Sequence, residues 1–184
     1  MRLFVAVAVA AEVRVAVDAA LAPARARHPE LRWVDPGRWH VTLVFLGSVS
    51  DPVAAEVRAA VGAACEDVAP LPLALESDLG TFTSGVLWAG LRPQPGLATL
   101  VERLRQALRD VTPLPDAGRE FHAHLTLARA GRGRRIPGGL AAAVRLPPRP
   151  WTCDEVALLQ SLPSAARGNR YVRVEAWRLT VANT

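Results

Sequence analysis

One pattern occurs twice in this sequence, as WHVTLVFLG at residues 39–47 and as FHAHLTLAR at residues 121–129. Each copy contains His-x-Thr-Leu followed by further apolar residues. Side chains alternate between the two faces of a β-strand, so a histidine and a threonine two residues apart point the same way. The pattern therefore predicts two strands, each with an apolar back in the core and a front of one imidazole and one hydroxyl.

The four front residues are His40 and Thr42 in the first copy, and His124 and Thr126 in the second. A single His-x-Thr strand is commonly a half-exposed strand with a coincidental histidine, and this interpretation remains open for either copy taken alone. The chain has only 4 histidines, and 2 of them occupy the same place in the repeated pattern. The repetition favours two fronts that face one polar ligand, and it makes these four residues candidate functional residues.

These motifs resemble those of the two-histidine (2H) phosphoesterase superfamily. They are most similar to those of the bacterial and archaeal RNA 2',3'-cyclic phosphodiesterases, also known as 2'-5' RNA ligases. The similarity covers most of the chain: residues 2–7 resemble the first strand of that family, residues 85–90 its central strand, and Ser161 with Tyr171 its C-terminal pair. The sequence departs from the family at Ala123, which replaces a usual proline, and at Val44, which replaces a frequent lysine.

The resemblance implies metal-independent hydrolysis of an RNA-terminal 2',3'-cyclic phosphate to a 2'-phosphate. By this analogy His40 protonates the leaving 3'-oxygen and His124 activates the water. Histidine suits both tasks, because its ordinary pKa near 6.5 allows one ring to be neutral and the other charged at pH 7. Thr42 and Thr126 would donate to the phosphate oxygens, and Arg129 matches the basic residue that closes the second family motif.

Two further residues are candidate substrate contacts. His122 shares the face of His124 by strand alternation, and it either contacts the phosphate or lies at the rim of the cleft. Phe45 belongs to a set of aromatic residues that could stack on a base or fill the core. The set is Phe4, Trp33, Phe45, Phe82 and Tyr171.

Composition favours a globular protein with an anionic partner. The chain has 184 residues, 51% hydrophobic and 21% charged, with a net charge of +5. All 22 basic residues are arginine, which suits bidentate phosphate recognition but is also typical of a GC-rich genome. Cys65 and Cys153 lack metal-ligand spacing, so we expect reduced structural thiols and neither a metal nor a cofactor.

The N-terminal run at residues 3–11 is similar to a short signal peptide, but its positive region is a single arginine. The family resemblance makes the same run a core strand. No apolar stretch approaches the roughly 20 residues of a membrane-spanning helix. We therefore expect a soluble, cytoplasmic monomer without a membrane partner.

Periodicity predicts helices over 11–27, from Pro52 to about residue 64, and over 97–110. Predicted strands are 3–9, 31–34, 39–46, 71–76, 85–91, 121–128, 153–160 and 170–180, with Phe82 in a loop and Gly168-Asn169 in the last turn. Residues 130–150, rich in Gly, Pro and Arg, form either an exposed basic loop or a flap that grips phosphate.

This order gives two similar halves and an α+β architecture, expected as one domain over residues 1–184. The resemblance adds a bilobal, pseudo-twofold arrangement in which antiparallel sheets line a central cleft and the helices lie outside. The partner expected in the cleft is RNA, or a nucleotide, with a 2',3'-cyclic phosphate end. A non-catalytic nucleotide- or RNA-binding module, and a 2'-5' RNA ligase as the main activity, remain as alternatives.

Overall fold

The computed structural model describes residues 1–163 and 170–181 of the chain. The helices in these ranges are α1 (Ala11–Arg27), α2 (Asp51–Cys65) and α3 (Pro95–Arg109), and a short 3-10 helix spans Pro36–Arg38. The strands are β1 (Arg2–Ala8), β2 (Arg32–Trp33), β3 (His40–Ser48), β4 (Leu71–Phe82), β5 (Val86–Leu91), β6 (His124–Arg129), β7 (Pro150–Cys153), β8 (Glu155–Leu162) and β9 (Arg170–Arg178).

Each helix buries one apolar stripe and leaves its charged residues exposed or partly exposed, as the periodicity predicts. The stripe of α3 recurs every three or four residues and is completely covered at Leu104 and Leu108. The stripes of α1 and α2 are equally regular, and they consist of Val13, Val17, Leu21 and Ala24, and of Ala54, Val57, Val61 and Ala64. None of the helices in the described ranges is long and apolar enough to cross a membrane.

The strands form an antiparallel sheet in the order β7-β4-β5-β6-β3-β1-β8-β9, and β2 pairs with β6 outside this path. The two motif strands, β3 and β6, are neighbours at the centre of this path, with three further strands beyond each. The predicted α+β class, with antiparallel strands and two matching halves, is confirmed. Both His-x-Thr motifs therefore lie where the two halves of the sheet meet.

Strand β1 is buried within the half of the sheet that contains β3. It lies between β3 and β8, and its residues from Leu3 to Val7 are all buried. The sequence interpretation of this run as a strand buried on both faces is thus confirmed. One face of β1 packs into the apolar core, while Phe4 on the other face contacts the ring of His40, with centroids 5.0 Å apart.

Several element boundaries differ from the prediction. Phe82 is not in a loop, because β4 continues to this residue in register with β5. Strand β6 begins at His124, not at residue 121, because its ladder with β5 ends at the pair of Gly90 and His124. The prediction missed β7, whose first residue is Pro150, a position that proline tolerates in a strand. The predicted turn at Gly168-Asn169 lies outside the described residues.

Gly80 leaves room for the Trp88 ring across the β4–β5 pair. A methyl group at residue 80 would overlap this ring. We expect Gly80→Ala to lower the free energy of unfolding by about 1–3 kcal/mol, because overpacking forces side chains out of their preferred rotamers. Gly138→Ala is the control, since its new Cβ would meet no atom within 4 Å. Urea denaturation measures both, and equal stability of the two variants would contradict the prediction.

Candidate active site

The register between β3 and β6 sets the arrangement of the motif residues. Val41 pairs with Leu125, and both side chains are completely buried behind the sheet. Extension of this antiparallel register by one residue places His40 across from Thr126 and Thr42 across from His124. Directly opposite residues of adjacent strands have Cβ atoms about 4.5–5.5 Å apart. Each imidazole therefore lies beside the threonine of the other motif.

Matching irregularities interrupt both motif strands after the threonine. In β3 the register with β1 shifts between the pairs Val5–Val44 and Ala6–Thr42, so an extra residue enters at Leu43. Val44 is therefore buried, and Phe45 lines the front with His40 and Thr42. Strict alternation would place Val44 on the front and Phe45 in the core. The β-bulge reverses the faces of the residues that follow it.

The same device operates in β6. Its register with β5 shifts between the pairs Leu87–Ala128 and Trp88–Thr126, so Leu127 is the extra residue. Leu127 and Ala128 are both buried, and Arg129 returns to the front. In each half the fifth residue after the histidine thus joins the site, as a phenylalanine in one half and an arginine in the other.

Both histidines are oriented by the backbone just before their own strands. His40 Nδ1 lies 2.8 Å from the carbonyl oxygen of Arg38, and His124 Nδ1 lies 2.7 Å from that of His122. A carbonyl oxygen can only accept, so Nδ1 donates in both cases and must carry the proton. In the neutral rings Nε2 then has the free lone pair, and it is the nitrogen available to a ligand.

Aromatic rings surround each imidazole in the same way. His40 contacts Phe4 and Tyr171, with centroids 5.0 and 4.9 Å away. His124 contacts Phe82 edge-on at 5.1 Å, and Phe82 stacks on Trp88. These rings exclude water from one side of each imidazole and restrict its movement.

This burial lowers the pKa of both histidines. Desolvation is the main cause for His40, whose pKa is raised in part by the bond to the Arg38 carbonyl and lowered again by the charges of His124 and Arg129. Desolvation likewise lowers the pKa of His124, with the bond to the His122 carbonyl opposing it. Because the ordinary value is near 6.5, both rings are mostly neutral at pH 7 in the absence of a ligand.

Six residues on the front of β3 and β6 line a cleft of about 250 Å³. These are His40, Thr42, Phe45, His124, Thr126 and Arg129, so the structure brings together all the predicted site residues except His122. Sequence reasoning missed Arg2 and Arg38, which also line the cleft. Strand alternation could have found Arg2, which lies two residues before Phe4 in β1, but it gives no signal for Arg38, which lies in the 3-10 helix before β3.

His122 lies next to the cleft and not in its lining. Its ring contacts Trp88 edge-on, with centroids 4.5 Å apart, and is 5.9 Å from that of His124. The predicted position at the rim therefore describes it better than a phosphate contact. The arginines of residues 130–150 do not line the cleft either, and Arg145 forms an ion pair with Asp78.

The two cysteines lie outside the site, and both are buried and unbridged. Burial raises the pKa of each thiol to about 11, so both are protonated at neutral pH. Within residues 1–163 and 170–181, no group of three or more His, Cys, Asp or Glu side chains could hold a metal ion. The cleft offers two imidazoles as acid–base groups, together with the hydroxyls of Thr42, Thr126, Ser161 and Tyr171.

The lowered histidine pKa values predict how stability depends on pH. In the unfolded chain both imidazoles titrate near pH 6.5, which is above their folded-state pKa values. Their contribution to stability is therefore complete above pH 6.5, and it is lost as the pH falls through the folded-state pKa values. We expect the Cε1–H signals of His40 and His124 in NMR to titrate below pH 6.5, with His40→Gln and His124→Gln used for assignment. Titration at or above 6.5 in the free protein would contradict this.

The family model described as the 2'-5' RNA ligase superfamily matches residues 10–164. Two curated relatives are named RNA 2',3'-cyclic phosphodiesterase. The protein from Geobacillus stearothermophilus is 31% identical over 71% of this chain, and that from Aeropyrum pernix is 30% identical over 58%. The matched part spans 42% and 61% of the lengths of these relatives.

Solved structures share the whole fold. The protein TT0787 of Thermus thermophilus is 27% identical with a TM-score of 0.83, and the match covers 100% of both chains. E. coli LigT complexed with 3'-AMP is 32% identical with a TM-score of 0.77, covering 97% of this chain and 98% of that one. The repeated His-x-Thr strands, the shared fold and the family match over most of the sequence agree, and the chain belongs to the 2'-5' RNA ligase superfamily.

Proposed function

We propose that this protein hydrolyses the 2',3'-cyclic phosphate at the end of an RNA or nucleotide to a 2'-phosphate, without a metal ion. The observation that carries the proposal is the pair of imidazoles in one cleft, each with Nδ1 on a backbone carbonyl and Nε2 left for the ligand. Two relatives named RNA 2',3'-cyclic phosphodiesterase support the substrate class. E. coli LigT complexed with 3'-AMP and with ATP supports a nucleotide ligand.

Hydrolysis requires a base for the attacking water and an acid for the ribose oxygen that leaves. Two imidazoles on opposite sides of the phosphorus supply both, and each positioned acid or base typically contributes about 10²–10⁴-fold. His124 takes the proton from the water, and His40 donates one to the leaving 3'-oxygen, in keeping with the family resemblance. Because the base itself activates the water, the proposed mechanism needs no metal ion.

The lowered pKa values fit this division. The free base is neutral at pH 7, as proton abstraction requires. The acid must hold a proton, although burial lowers the pKa of His40 as well. The cyclic phosphate is an anion, and an adjacent anion raises the pKa of an imidazole. Substrate binding thus raises the pKa of His40, so the acid holds a proton when the leaving 3'-oxygen is present to receive it.

Charge that develops on the phosphate during attack is stabilised by the rest of the cleft. The hydroxyls of Thr42 and Thr126 lie on either side, each next to the imidazole of the other strand, and their β-branched side chains have few rotamers. Arg129 adds a guanidinium, which binds phosphate oxygens in a bidentate manner. The bulge in β6 is what turns Arg129 toward the phosphate.

Two alternatives lead to different measurements. A non-catalytic binding module needs donors for phosphate, but it has no use for a matched acid and base. A 2'-5' RNA ligase would use the same groups in reverse, with a 5'-hydroxyl in place of water. Hydrolysis is favoured here because water is always available to His124, whereas ligation needs a second RNA end.

The first test removes the histidines singly and together. We expect His40→Ala and His124→Ala each to lower kcat by more than tenfold with adenosine 2',3'-cyclic phosphate in EDTA, and the double variant to be little worse, because the two act as a unit. His28→Ala is the matched control, since its ring pairs with Glu30 outside the cleft. Retention of a tenth of the wild-type kcat by either single variant would exclude the mechanism, and loss of wild-type turnover in EDTA would exclude metal independence.

The second test identifies the product. A fixed acid opposite a fixed base determines which ribose oxygen leaves, so phosphorus NMR should show a 2'-monophosphate alone. A 3'-monophosphate alone would mean that the ribose lies reversed and that the roles of His40 and His124 are exchanged. A mixture would mean that the cleft does not orient the ring, and it would favour the binding-module alternative.

A further inference from the structure

Strand β2 extends the front of the sheet beyond the cleft. In its pairing with β6, Arg32 is opposite Arg129 and Trp33 is opposite Ala128. Strand β5 occupies the other edge of β6 at these same residues, so β2 lies on the edge of β6 that β3 uses nearer to its start. A ligand that extends from the cleft past Arg129 therefore meets β2.

Arg32 belongs to the front of β2. Trp33 points to the back, where its indole N–H donates to the carbonyl oxygen of His28 at 2.9 Å and its ring packs against the core. Val34, two residues after Arg32, lines the cleft. Alternate residues of a strand share one face, so Arg32 lies on the face of Val34 and directly beside Arg129.

Arg32 and Arg129 thus place two positive charges side by side. Arginine is always charged in proteins, and like charges directly opposite each other destabilise a sheet. In the outer part of the sheet the equivalent position is balanced, because Arg178 of β9 is opposite Glu155 of β8. Arg32 donates to the carbonyl oxygen of Ala130 at 3.3 Å, which orients its guanidinium but does not neutralise it.

The protein itself does not supply the balancing anion. Among the residues that the structure describes, no carboxylate forms an ion pair with Arg32 or Arg129. Arg32 and Arg129 are both exposed. An anion bound between the two guanidinium groups would remove their repulsion, so this part of the front suits a negatively charged ligand.

More arginines follow where β6 ends. Residues 131–135, here called the arginine turn, contain three exposed arginines, which are Arg132, Arg134 and Arg135. Within the described ranges none of the three has a carboxylate as an ion-pair partner. The turn is close to Arg32, whose side chain bonds to Ala130, the residue just before the turn. The positive surface therefore continues from the cleft through Arg32 to the arginine turn.

We propose that Arg32 binds the phosphodiester on the 5' side of the nucleoside that carries the cyclic phosphate, and that the arginine turn attracts the RNA backbone beyond it. The preferred substrate is then an RNA end and not a free nucleoside 2',3'-cyclic phosphate. This assignment rests on the proposed function, because it takes the cleft as the site of the cyclic phosphate and Arg129 as one of its ligands.

The chemistry of RNA gives Arg32 this role. The anion nearest to a terminal cyclic phosphate is the phosphodiester on the 5'-oxygen of the same ribose, and a free nucleoside 2',3'-cyclic phosphate lacks it. The Cβ atoms of directly opposite residues are about 4.5–5.5 Å apart, so Arg32 lies one strand beyond the guanidinium that meets the cyclic phosphate. Its planar fork of donors matches two phosphate oxygens.

The test compares three substrates that differ in the upstream phosphate. These are adenosine 2',3'-cyclic phosphate, the dinucleotide adenylyl-adenosine 2',3'-cyclic phosphate, and the same dinucleotide with an uncharged methylphosphonate linkage. We expect Arg32→Gln to lower kcat/KM for the charged dinucleotide by about fivefold, the upper range for an exposed ion pair. The other two substrates should change by less than about twofold.

Two further variants make the result specific. Arg32→Lys keeps the charge but loses the fork, so it should recover part of the loss. Arg178→Gln removes an arginine whose side chain is 80% exposed and which does not line the cleft, and it should leave all three rates unchanged. An equal loss with all three substrates, or no loss with the charged dinucleotide, would overturn the proposal.

Binding of the products separates this proposal from the proposed function. Calorimetry should show that Arg32→Gln weakens the binding of adenylyl-adenosine 2'-phosphate by about fivefold, and that of adenosine 2'-monophosphate hardly at all. If the wild-type protein showed this dependence on the upstream phosphate but no turnover, the catalytic proposal would fail and the role of Arg32 would stand. Turnover with equal affinity of the wild type and Arg32→Gln for the dinucleotide product would reverse that conclusion.

Discussion

The contact between β3 and β6 is the constraint on which the site depends. It is short, with Val41 and Leu125 as its paired residues, and both are completely buried. Since a one-residue slip turns every side chain to the other face, this register cannot change without moving leucines to the cleft and histidines to the core. The apolar back of the two strands therefore fixes the polar front, and burial in the core determines the geometry of the cleft.

The same backbone hydrogen bond orients both histidines. Each imidazole donates Nδ1–H to the carbonyl two residues earlier, so the backbone that leads into each strand selects the tautomer and no separate carboxylate is required. A carboxylate in that place would raise the pKa of the ring, whereas a carbonyl opposes desolvation only in part. The free site thus contains two neutral imidazoles with arginines nearby, and in the proposed mechanism it gains its proton together with the anionic substrate.

Periodicity in the sequence was sufficient to predict the three helices, the buried first strand and the four front residues, because these depend on regular repeats of 3.6 or 2 residues. It could not place Phe45 and Arg129 on the front, since a bulge counts two residues as one and leaves no mark in an apolar run. The family resemblance suggested Arg129, but not the reason for its orientation. Strand β7 was missed because its pairing with β4 joins distant segments, and its proline-rich approach is typical of a loop.

The two halves are alike in backbone but differ at the residues that bracket the motif. Two residues before the histidine stand Arg38 and His122, and five after it stand Phe45 and Arg129. Because β3 and β6 are antiparallel, Arg38 comes to the same end of the front as Arg129, and Phe45 to the same end as His122. One end therefore has two arginines, and the other has His122 and Phe45, with the guanidinium of Arg2 over the Phe45 ring.

A symmetric scaffold with symmetric fronts would bind a nucleotide equally well in two opposite orientations, and its acid and base would exchange roles between them. The unequal ends remove this ambiguity, because a nucleotide is itself unequal, with an anionic backbone on one side of the ribose and a base on the other. The four bracketing residues thus do what the motif residues cannot. Under the proposed function, these four residues determine which of two equivalent histidines meets the leaving oxygen.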